Sequence, residues 1–116
     1  MSKESNRNFS VYFTEGFNKC LDQIQNFFAD QGEDVLEWWL MREDNMIDEI
    51  DYMLSSFPYV GKKVEEGSFK GFRCLTYGKS RHKMLNYLVF YLIYEDDKTI
   101  DVINILPSRS QRKRIR

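Results

Sequence analysis

The stretch Tyr87–Tyr94 reads YLVFYLIY, and both of its alternating sets of side chains are apolar or aromatic. A strand with one face in water alternates apolar and polar residues, whereas a strand covered on both faces is apolar throughout. The pattern therefore predicts a central strand, with helices covering one face and another part of the chain covering the other.

The neighbouring residues predict partners for this strand. Residues 95–98 (EDDK) form a tight turn, and residues 100–106 (IDVINIL) return as a final strand, which Pro107 breaks. Before the central strand, residues 69–76 predict another strand and residues 77–86 (YGKSRHKMLN) a loop. The second half of the chain is therefore expected to supply three strands of one sheet.

The first half begins with a strand and a helix. Residues 9–14 (FSVYFT) are β-branched and aromatic, as is typical of strands, and Thr14 can then cap a helix. The turn signal DQG at residues 30–32 ends that helix. Its apolar residues recur at the helical spacings of four, three and four: Phe17, Leu21, Ile24 and Phe28.

A second helix is predicted over residues 33–57. It ends at Pro58, and residues 59–68 (YVGKKVEEGS) form a connector rich in glycine and charge. A connection of about three residues between the helices forces an antiparallel hairpin. The apolar stripe of the second helix consists of Leu36, Leu40, Ile47, Ile50, Leu54 and Phe57.

The predicted order of elements is β-α-α-β-β-β. Two helices packed on one face of a mostly antiparallel sheet of about four strands make an α+β fold. The 116 residues suit a single domain, residues 1–116, with a flexible basic tail at about residues 110–116.

Composition narrows the chemistry and the compartment. No apolar run approaches the roughly 20 residues of a membrane helix and no signal peptide is visible, so we expect a cytoplasmic protein without membrane contact. Cys20 and Cys74 stand apart, which supports neither a disulfide framework nor a zinc site. Neither a metal nor a cofactor is expected, and kinase, glycosidase and hydrolase activities lack recognisable motifs.

Charge is distributed unevenly along the chain. Residues 1–66 carry 6 basic and 14 acidic side chains, whereas residues 67–116 carry 11 basic and 4 acidic ones. The asymmetry indicates a surface that faces a polyanion, although two halves of opposite charge can also simply attract each other.

Several of these features occur together in one known group of proteins. The element order, the helix exit Phe57-Pro58, the pair Phe72-Arg73, the run YLVFYLIYEDDKTIDVINIL and the trailing Arg109 resemble the RelE/ParE superfamily of type II toxins, found in plasmid stabilisation systems. The resemblance implies a growth-inhibiting toxin with a cognate antitoxin as partner. RelE-like members cleave messenger RNA on the ribosome, whereas ParE-like members poison DNA gyrase without being nucleases, so the fold alone leaves enzymatic activity open.

The resemblance also implies site residues. Lys62 and Lys63 in the connector, Arg73 on a strand and Arg109 after the last strand match RelE-like positions. If the chain is RelE-like, the catalytic residues are Arg73, His82 and Arg109, because arginines can clamp a phosphate and a histidine titrates near neutrality. A lone surface histidine between basic residues is nevertheless more often only a solvated loop residue. Ile115, however, stands six residues beyond Arg109, where a tyrosine is expected. This departure favours gyrase inhibition slightly over RNA cleavage.

Two basic clusters flank the central strand. They suit phosphate backbones, although the tail can equally stay solvated or pair with an acidic antitoxin, and a binding module without catalysis is a further alternative. Besides Lys62 and Lys63, the predicted nucleic-acid-binding residues are Lys79, Arg81, Lys83, Arg112, Lys113 and Arg114, accompanied by His82 in the loop and by Arg109 and Arg116 in the tail.

Trp38 and Trp39 are adjacent on the second predicted helix. Neighbouring helical residues point about 100° apart, so both cannot face one narrow core stripe. One is expected in the core, and the other, taken as Trp38, is a candidate anchor for a partner segment because large exposed aromatic residues often bind partners.

Overall fold

The computed structural model describes residues 9–78 and 87–107. Two helices and five strands follow one another in these ranges. In chain order they are β1 (Ser10–Phe13), α1 (Glu15–Ala29), α2 (Glu33–Ser56), β2 (Lys62–Lys63), β3 (Arg73–Tyr77), β4 (Tyr87–Tyr94) and β5 (Thr99–Pro107). None of the helices in these ranges is both long and apolar enough to traverse a bilayer.

The strands form one mixed sheet in the order β1-β5-β4-β3-β2. β1 runs parallel to β5, and every other neighbouring pair is antiparallel. The predicted α+β class is therefore confirmed. The expectation of about four strands is one short, because the connector contains β2, in which Lys62 pairs with Cys74. Strand pairing of two residues depends on a distant partner and leaves no periodic signal in the sequence.

β4 lies at the centre of the sheet and is covered on both faces, as predicted. Tyr87, Val89 and Tyr91 belong to the core formed with the helices. Phe90 is also buried, but it stacks on Phe69 with ring centroids 4.1 Å apart and planes at 13°. Phe69 lies in a turn before β3, so the strand predicted over residues 69–76 begins only at Arg73. The preceding residues cover the second face of the sheet.

α1 forms as its sequence pattern predicts. The Thr14 hydroxyl accepts a hydrogen bond from the Phe17 backbone N–H at 3.3 Å, which satisfies one of the donors at the helix start. All four residues of the predicted stripe, Phe17, Leu21, Ile24 and Phe28, are buried.

α2 forms with a different buried stripe from the predicted one. Leu40 and Phe57 are exposed, and the predicted end of the helix moves to Ser56. The helix instead buries Trp39, Met46, Ile50, Leu54 and Ser55. The Trp39 ring stacks on that of Phe28, with centroids 5.2 Å apart. Burying an indole removes more apolar area from water than burying a leucine, which accounts for this rotation of the helix.

The turn after β4 forms at residues 95–98, where Lys98 has a positive φ of 58°. β5 extends one residue beyond the prediction at each end, because Thr99 pairs with Tyr94 and Pro107 pairs with Tyr87. Proline is tolerated there because the last residue of a strand can do without a ladder N–H.

Candidate functional site

Four of the residues predicted to act in function lie in the described ranges: Trp38, Lys62, Lys63 and Arg73. The other predicted residues lie outside the described ranges: Lys79, Arg81, His82, Lys83, Arg109, Arg112, Lys113, Arg114 and Arg116. Convergence of Arg73, His82 and Arg109 on one phosphate therefore stays a prediction.

Arg73 on β3 is half-buried and directs its guanidinium toward the connector. Its Nε donates to the Gly61 carbonyl at 3.1 Å, and its Nη2 donates to the carbonyls of Gly61 at 2.8 Å and Tyr59 at 3.3 Å. The guanidinium carbon also lies 5.3 Å from the centre of the Tyr59 ring, within cation–π range. Two of the three guanidinium nitrogens are therefore occupied by the chain itself.

Tyr91 on β4, the ladder partner of Arg73, holds the same part of the connector. Its fully buried hydroxyl donates to the Pro58 carbonyl and accepts from the Gly61 N–H, each at 2.8 Å. Burial raises the pKa of this hydroxyl, against the opposing effects of the Gly61 N–H and Arg73. A side chain at residue 61 has no room, because its Cβ would lie 2.7 Å from the Tyr91 oxygen.

Tyr59 links the connector to the far end of β4. Its ring is half exposed, lies beneath Arg73, and carries a hydroxyl that donates to the Glu95 carboxylate in the β4–β5 turn. We call Arg73, Tyr91 and the segment of residues 58–61 the connector clamp. These contacts fix the position of the segment that leads directly into Lys62 and Lys63.

Lys62 and Lys63 are both exposed on β2, the outermost strand of the sheet. Lys63 pairs across the ladder with Arg73. Two lysines on an edge strand can attract a polyanion or an acidic protein surface, and lysine on an edge also discourages pairing with other chains.

Trp38 and Trp39 diverge as predicted. Trp39 is 2% exposed and belongs to the core, whereas Trp38 is 42% exposed. Trp38 packs edge-on against Phe28 at 5.9 Å, and the Arg42 guanidinium lies 5.0 Å from the centre of the Trp38 indole. A large aromatic surface therefore stays in solvent beside an arginine.

A groove of about 180 Å³ lies beside Trp38 and Arg42, between α2 and the ends of β3 and β4. We call it the helix groove. Its α2 residues include Trp38, Arg42, Asn45 and Glu49, whose spacings of four, three and four place them on one helix face. The lining consists of Trp38, Trp39, Arg42, Asn45, Met46, Glu49, Tyr77, Gly78 and Tyr87.

Sequence reasoning identified only Trp38 in this groove. The helical spacing of Arg42, Asn45 and Glu49 could have indicated the groove. It places these polar residues on the same helix face as the exposed Trp38, and a face that combines polar residues with an exposed tryptophan is a candidate binding surface. No local pattern indicates Tyr77 and Tyr87, which come from strands far along the chain.

The two tyrosines of the groove keep their protons. The Tyr77 hydroxyl donates to Glu49 at 2.5 Å; burial first, and then the bond and charge of Glu49, raise its pKa to about 12. Burial raises the pKa of Tyr87 to about 12 as well. The positive charge of Arg42 acts in the opposite direction on both, so its guanidinium lies within electrostatic reach of both hydroxyls.

Within residues 9–78 and 87–107, no group of His, Cys, Asp and Glu side chains is arranged to hold a metal ion. The two thiols show no sign of activation. The Cys20 thiol donates to the Asn104 side-chain oxygen at 2.9 Å, and burial raises the pKa of Cys74. A raised pKa keeps the Cys74 thiol protonated and therefore weakly nucleophilic.

Comparison with known proteins assigns no family to this chain. None of the models of known protein families matches it, and a search of curated proteins finds no match either. Membership of the RelE/ParE superfamily therefore stays a prediction from the residues and the element order.

Proposed function

We propose that this chain is the toxin of a type II toxin–antitoxin module, and that it inhibits growth by binding DNA gyrase in the ParE-like manner. An antitoxin would be its protective partner. The α+β architecture supports this proposal, because a helical hairpin followed by an antiparallel β3-β4-β5 run is the order that the resemblance implies. Fold alone does not select a target, so the choice of gyrase needs a separate argument.

The observation that carries the choice is the engagement of Arg73. An arginine that clamps a phosphate in a cleavage reaction presents two donors of its planar fork to the substrate. Here Nε and Nη2 bond to the carbonyls of Gly61 and Tyr59, and the guanidinium lies over the Tyr59 ring. Arg73 is therefore better suited to hold the connector than to stabilise a reacting phosphate.

A docking function makes different demands on the same region. A rigid connector that displays exposed side chains serves as a binding surface without any reacting group. Tyr59, Val60, Lys62 and Lys63 are exposed along this short segment, which combines apolar and cationic contacts. Such a combination suits a protein surface at least as well as a nucleic acid.

RelE-like cleavage is the second candidate, and one observation favours it. Lys63 and Arg73 are ladder partners at the sheet edge, so two cations lie close enough to act on one phosphate if the connector rearranges. His82 and Arg109 would have to complete the site.

The decisive experiment induces the chain in bacteria and scores messages and DNA topology in parallel. Gyrase inhibition predicts growth arrest, loss of negative supercoiling and intact messages, and purified chain should inhibit gyrase in a supercoiling assay. Sharp cleavage sites by primer extension with normal supercoiling would replace the gyrase proposal by RNA cleavage. A harmless chain that inhibits neither would leave only a binding module.

Lysine variants locate the surface. Lys62→Ala and Lys63→Ala should each weaken inhibition several-fold without loss of stability, because exposed interfacial charges contribute mainly to association. Lys19→Ala, an exposed lysine on α1, is the matched control and should behave as wild type. Equal inhibition by all three variants would exclude β2 from the binding surface.

A further inference from the structure

The helix groove contains hydrogen-bond donors that have no acceptor among residues 9–78 and 87–107, and we propose that it receives a single carboxylate side chain of a partner polypeptide. Arg42 and Tyr87 would bind the carboxylate, and Trp38 would pack against the partner's neighbouring apolar residues. The inference does not rest on the proposed function, because it concerns a different surface and requires neither gyrase nor RNA.

Arg42 is the first unused donor. Its guanidinium lies over the Trp38 ring, yet it makes no ion pair within the described part of the chain. This is unexpected for the single basic residue of α2, which carries eight acidic ones. Glu43, its neighbour in sequence, instead accepts a hydrogen bond from Gln25. A positive charge held on an aromatic face beside a groove is placed to meet an incoming anion.

Tyr87 is the second unused donor. It is 4% exposed, forms part of the groove wall, and its hydroxyl has no hydrogen-bond partner among the described residues. In those ranges, only Trp39 and Ser56 have a polar side-chain atom that is both sealed from solvent and unpartnered. The Tyr87 hydroxyl is therefore not sealed from solvent. Arg42 and Tyr87 both line the groove, and the charge of Arg42 acts on the Tyr87 hydroxyl.

The acceptor in the groove is already engaged. Glu49 accepts the Tyr77 hydroxyl at 2.5 Å, so the carboxylate of the groove has a donor of its own, and Arg42 and Tyr87 have no acceptor among the described residues. A carboxylate of a partner supplies such an acceptor and forms charge-assisted hydrogen bonds. A nucleic acid suits this surface less well than a single carboxylate, because the eight acidic residues of α2 repel every phosphate of a row, whereas one carboxylate contacts Arg42 directly.

The small volume of the groove and the exposed apolar residues beside it favour a polypeptide over a small molecule. Its volume of about 180 Å³ is below the range of roughly 300 to 1,000 Å³ typical of small-molecule sites. Trp38 is exposed beside it, and Met41, one helical turn further on, is 72% exposed. A side chain fits the groove while apolar neighbours of the same peptide cover the tryptophan and the methionine, as in interfaces built around an aromatic anchor.

The test uses a capped tripeptide, acetyl-Leu-Asp-Leu-amide, and its Asn counterpart as probes. The chain has two tryptophans, so its NMR spectrum contains two indole N–H signals, which Trp38→Phe assigns. The Asp peptide should shift the Trp38 signal saturably, and the Asn peptide should bind about tenfold more weakly, as expected for loss of a charge-assisted contact.

Variants establish which residues bind the carboxylate. Arg42→Gln should abolish the preference for Asp over Asn, and Tyr87→Phe should reduce it, whereas the control Lys19→Gln should retain it. Signal dispersion in the same spectra shows whether each variant is folded. Equal binding of both peptides, or unchanged preference in Arg42→Gln, would overturn the carboxylate assignment.

Two further outcomes separate this inference from its alternatives and from the proposed function. A shift of the Trp38 signal by a short RNA but by neither peptide would overturn the choice of a polypeptide, and the absence of any shift up to the solubility limit of the probes would overturn the site.

Growth arrest is scored independently. A folded Arg42→Gln variant that still arrests growth but loses the Asp preference supports the groove whatever the toxin's target.

Discussion

The connector clamp and the helix groove differ in whether their polar groups have partners within the described chain. In the clamp, Arg73 and Tyr91 together make five hydrogen bonds to backbone atoms of residues 58–61. In the groove, Arg42 has no ion pair and Tyr87 no hydrogen bond within the described residues. The region to which the sequence resemblance pointed is internally satisfied, whereas the groove, where only Trp38 was predicted, retains donors without a partner in the described part of the chain.

This difference matters because an internally bonded group contributes mainly to stability, and an unused one is available to a ligand. Removing a partner from a buried hydrogen bond costs about 1–3 kcal/mol, whereas removing a hydroxyl that bonds to nothing costs little. Substitutions in the clamp should therefore change the free energy of unfolding, and substitutions of the groove donors should change binding.

The largest expected effect separates the two tryptophans. Trp39→Ala should lower the free energy of unfolding by about 3–5 kcal/mol, because it empties a core position stacked on Phe28. Trp38→Ala should cost less than about 1 kcal/mol, because the ring is largely in solvent. Denaturant unfolding measures both, and similar losses would contradict the assignment of Trp38 as a surface residue.

The next effect compares two tyrosines on β4 that are both at least nine-tenths buried. Tyr91→Phe should cost about 1–3 kcal/mol, because the Gly61 N–H and the Pro58 carbonyl lose their partner. Tyr87→Phe should change stability by less than about 0.5 kcal/mol, because its hydroxyl bonds to no described residue. Chemical denaturation of the two variants measures both losses in the free energy of unfolding. A large loss for Tyr87→Phe would show that the Tyr87 hydroxyl already has a hydrogen-bond partner.

A smaller effect is expected for Arg73→Lys, which keeps the charge and removes the planar fork. The ammonium group cannot reproduce the paired contacts with Gly61 and the packing on Tyr59, so we expect a loss of about 1–2 kcal/mol. Faster hydrogen exchange at the Gly61 amide should accompany it. Unchanged stability with complete loss of RNA cleavage would instead make Arg73 a catalytic group.

The smallest expected effect at neutral pH is the dependence of the free energy of unfolding on the titration of two tyrosines. The pKa values of Tyr77 and Tyr87 are about 12 in the folded chain, above the value of about 10 of an unfolded tyrosine. The unfolded chain thus releases these protons first, so the stability they contribute is complete below about pH 10 and is lost as the pH rises toward 12.

Unfolding measured from about pH 9 to pH 11 should show this decline, and tyrosinate absorbance should follow the titration directly. Tyr77→Phe and Tyr87→Phe should each flatten the decline. A stability that rises over this interval would have the wrong sign for phenols whose pKa is raised by folding, and would contradict the raised pKa values of Tyr77 and Tyr87.

Local pattern was sufficient for much of the fold. The spacing of Phe17, Leu21, Ile24 and Phe28 predicted α1, and the apolar run of β4 predicted its position at the centre of the sheet with both faces covered. These predictions succeeded because helical and strand periodicities are properties of neighbouring residues. The same periodicity failed on α2, where two apolar stripes overlap and only packing against α1 selects the one that contains Trp39.

The candidate sites depended more on contacts between distant residues. The sequence indicated that one of two adjacent tryptophans must be exposed, but not that Arg42 and Asn45 would share a groove with Tyr87. It also indicated Arg73 by resemblance, but not that its donors would be taken by the backbone at residues 59 and 61. Hydrogen-bond partners far apart in the chain are determined by where the elements pack.

The sequence by itself determined the α+β class, the helical hairpin, the buried central strand and the charge contrast between the two halves, because each follows from composition or from neighbouring residues. Only the tertiary structure decided that β2 pairs at the edge, that Phe69 covers Phe90, and which polar groups are satisfied. The physical reason is that a donor's availability depends on every acceptor within reach. That set exists only once the helices and the sheet have packed together.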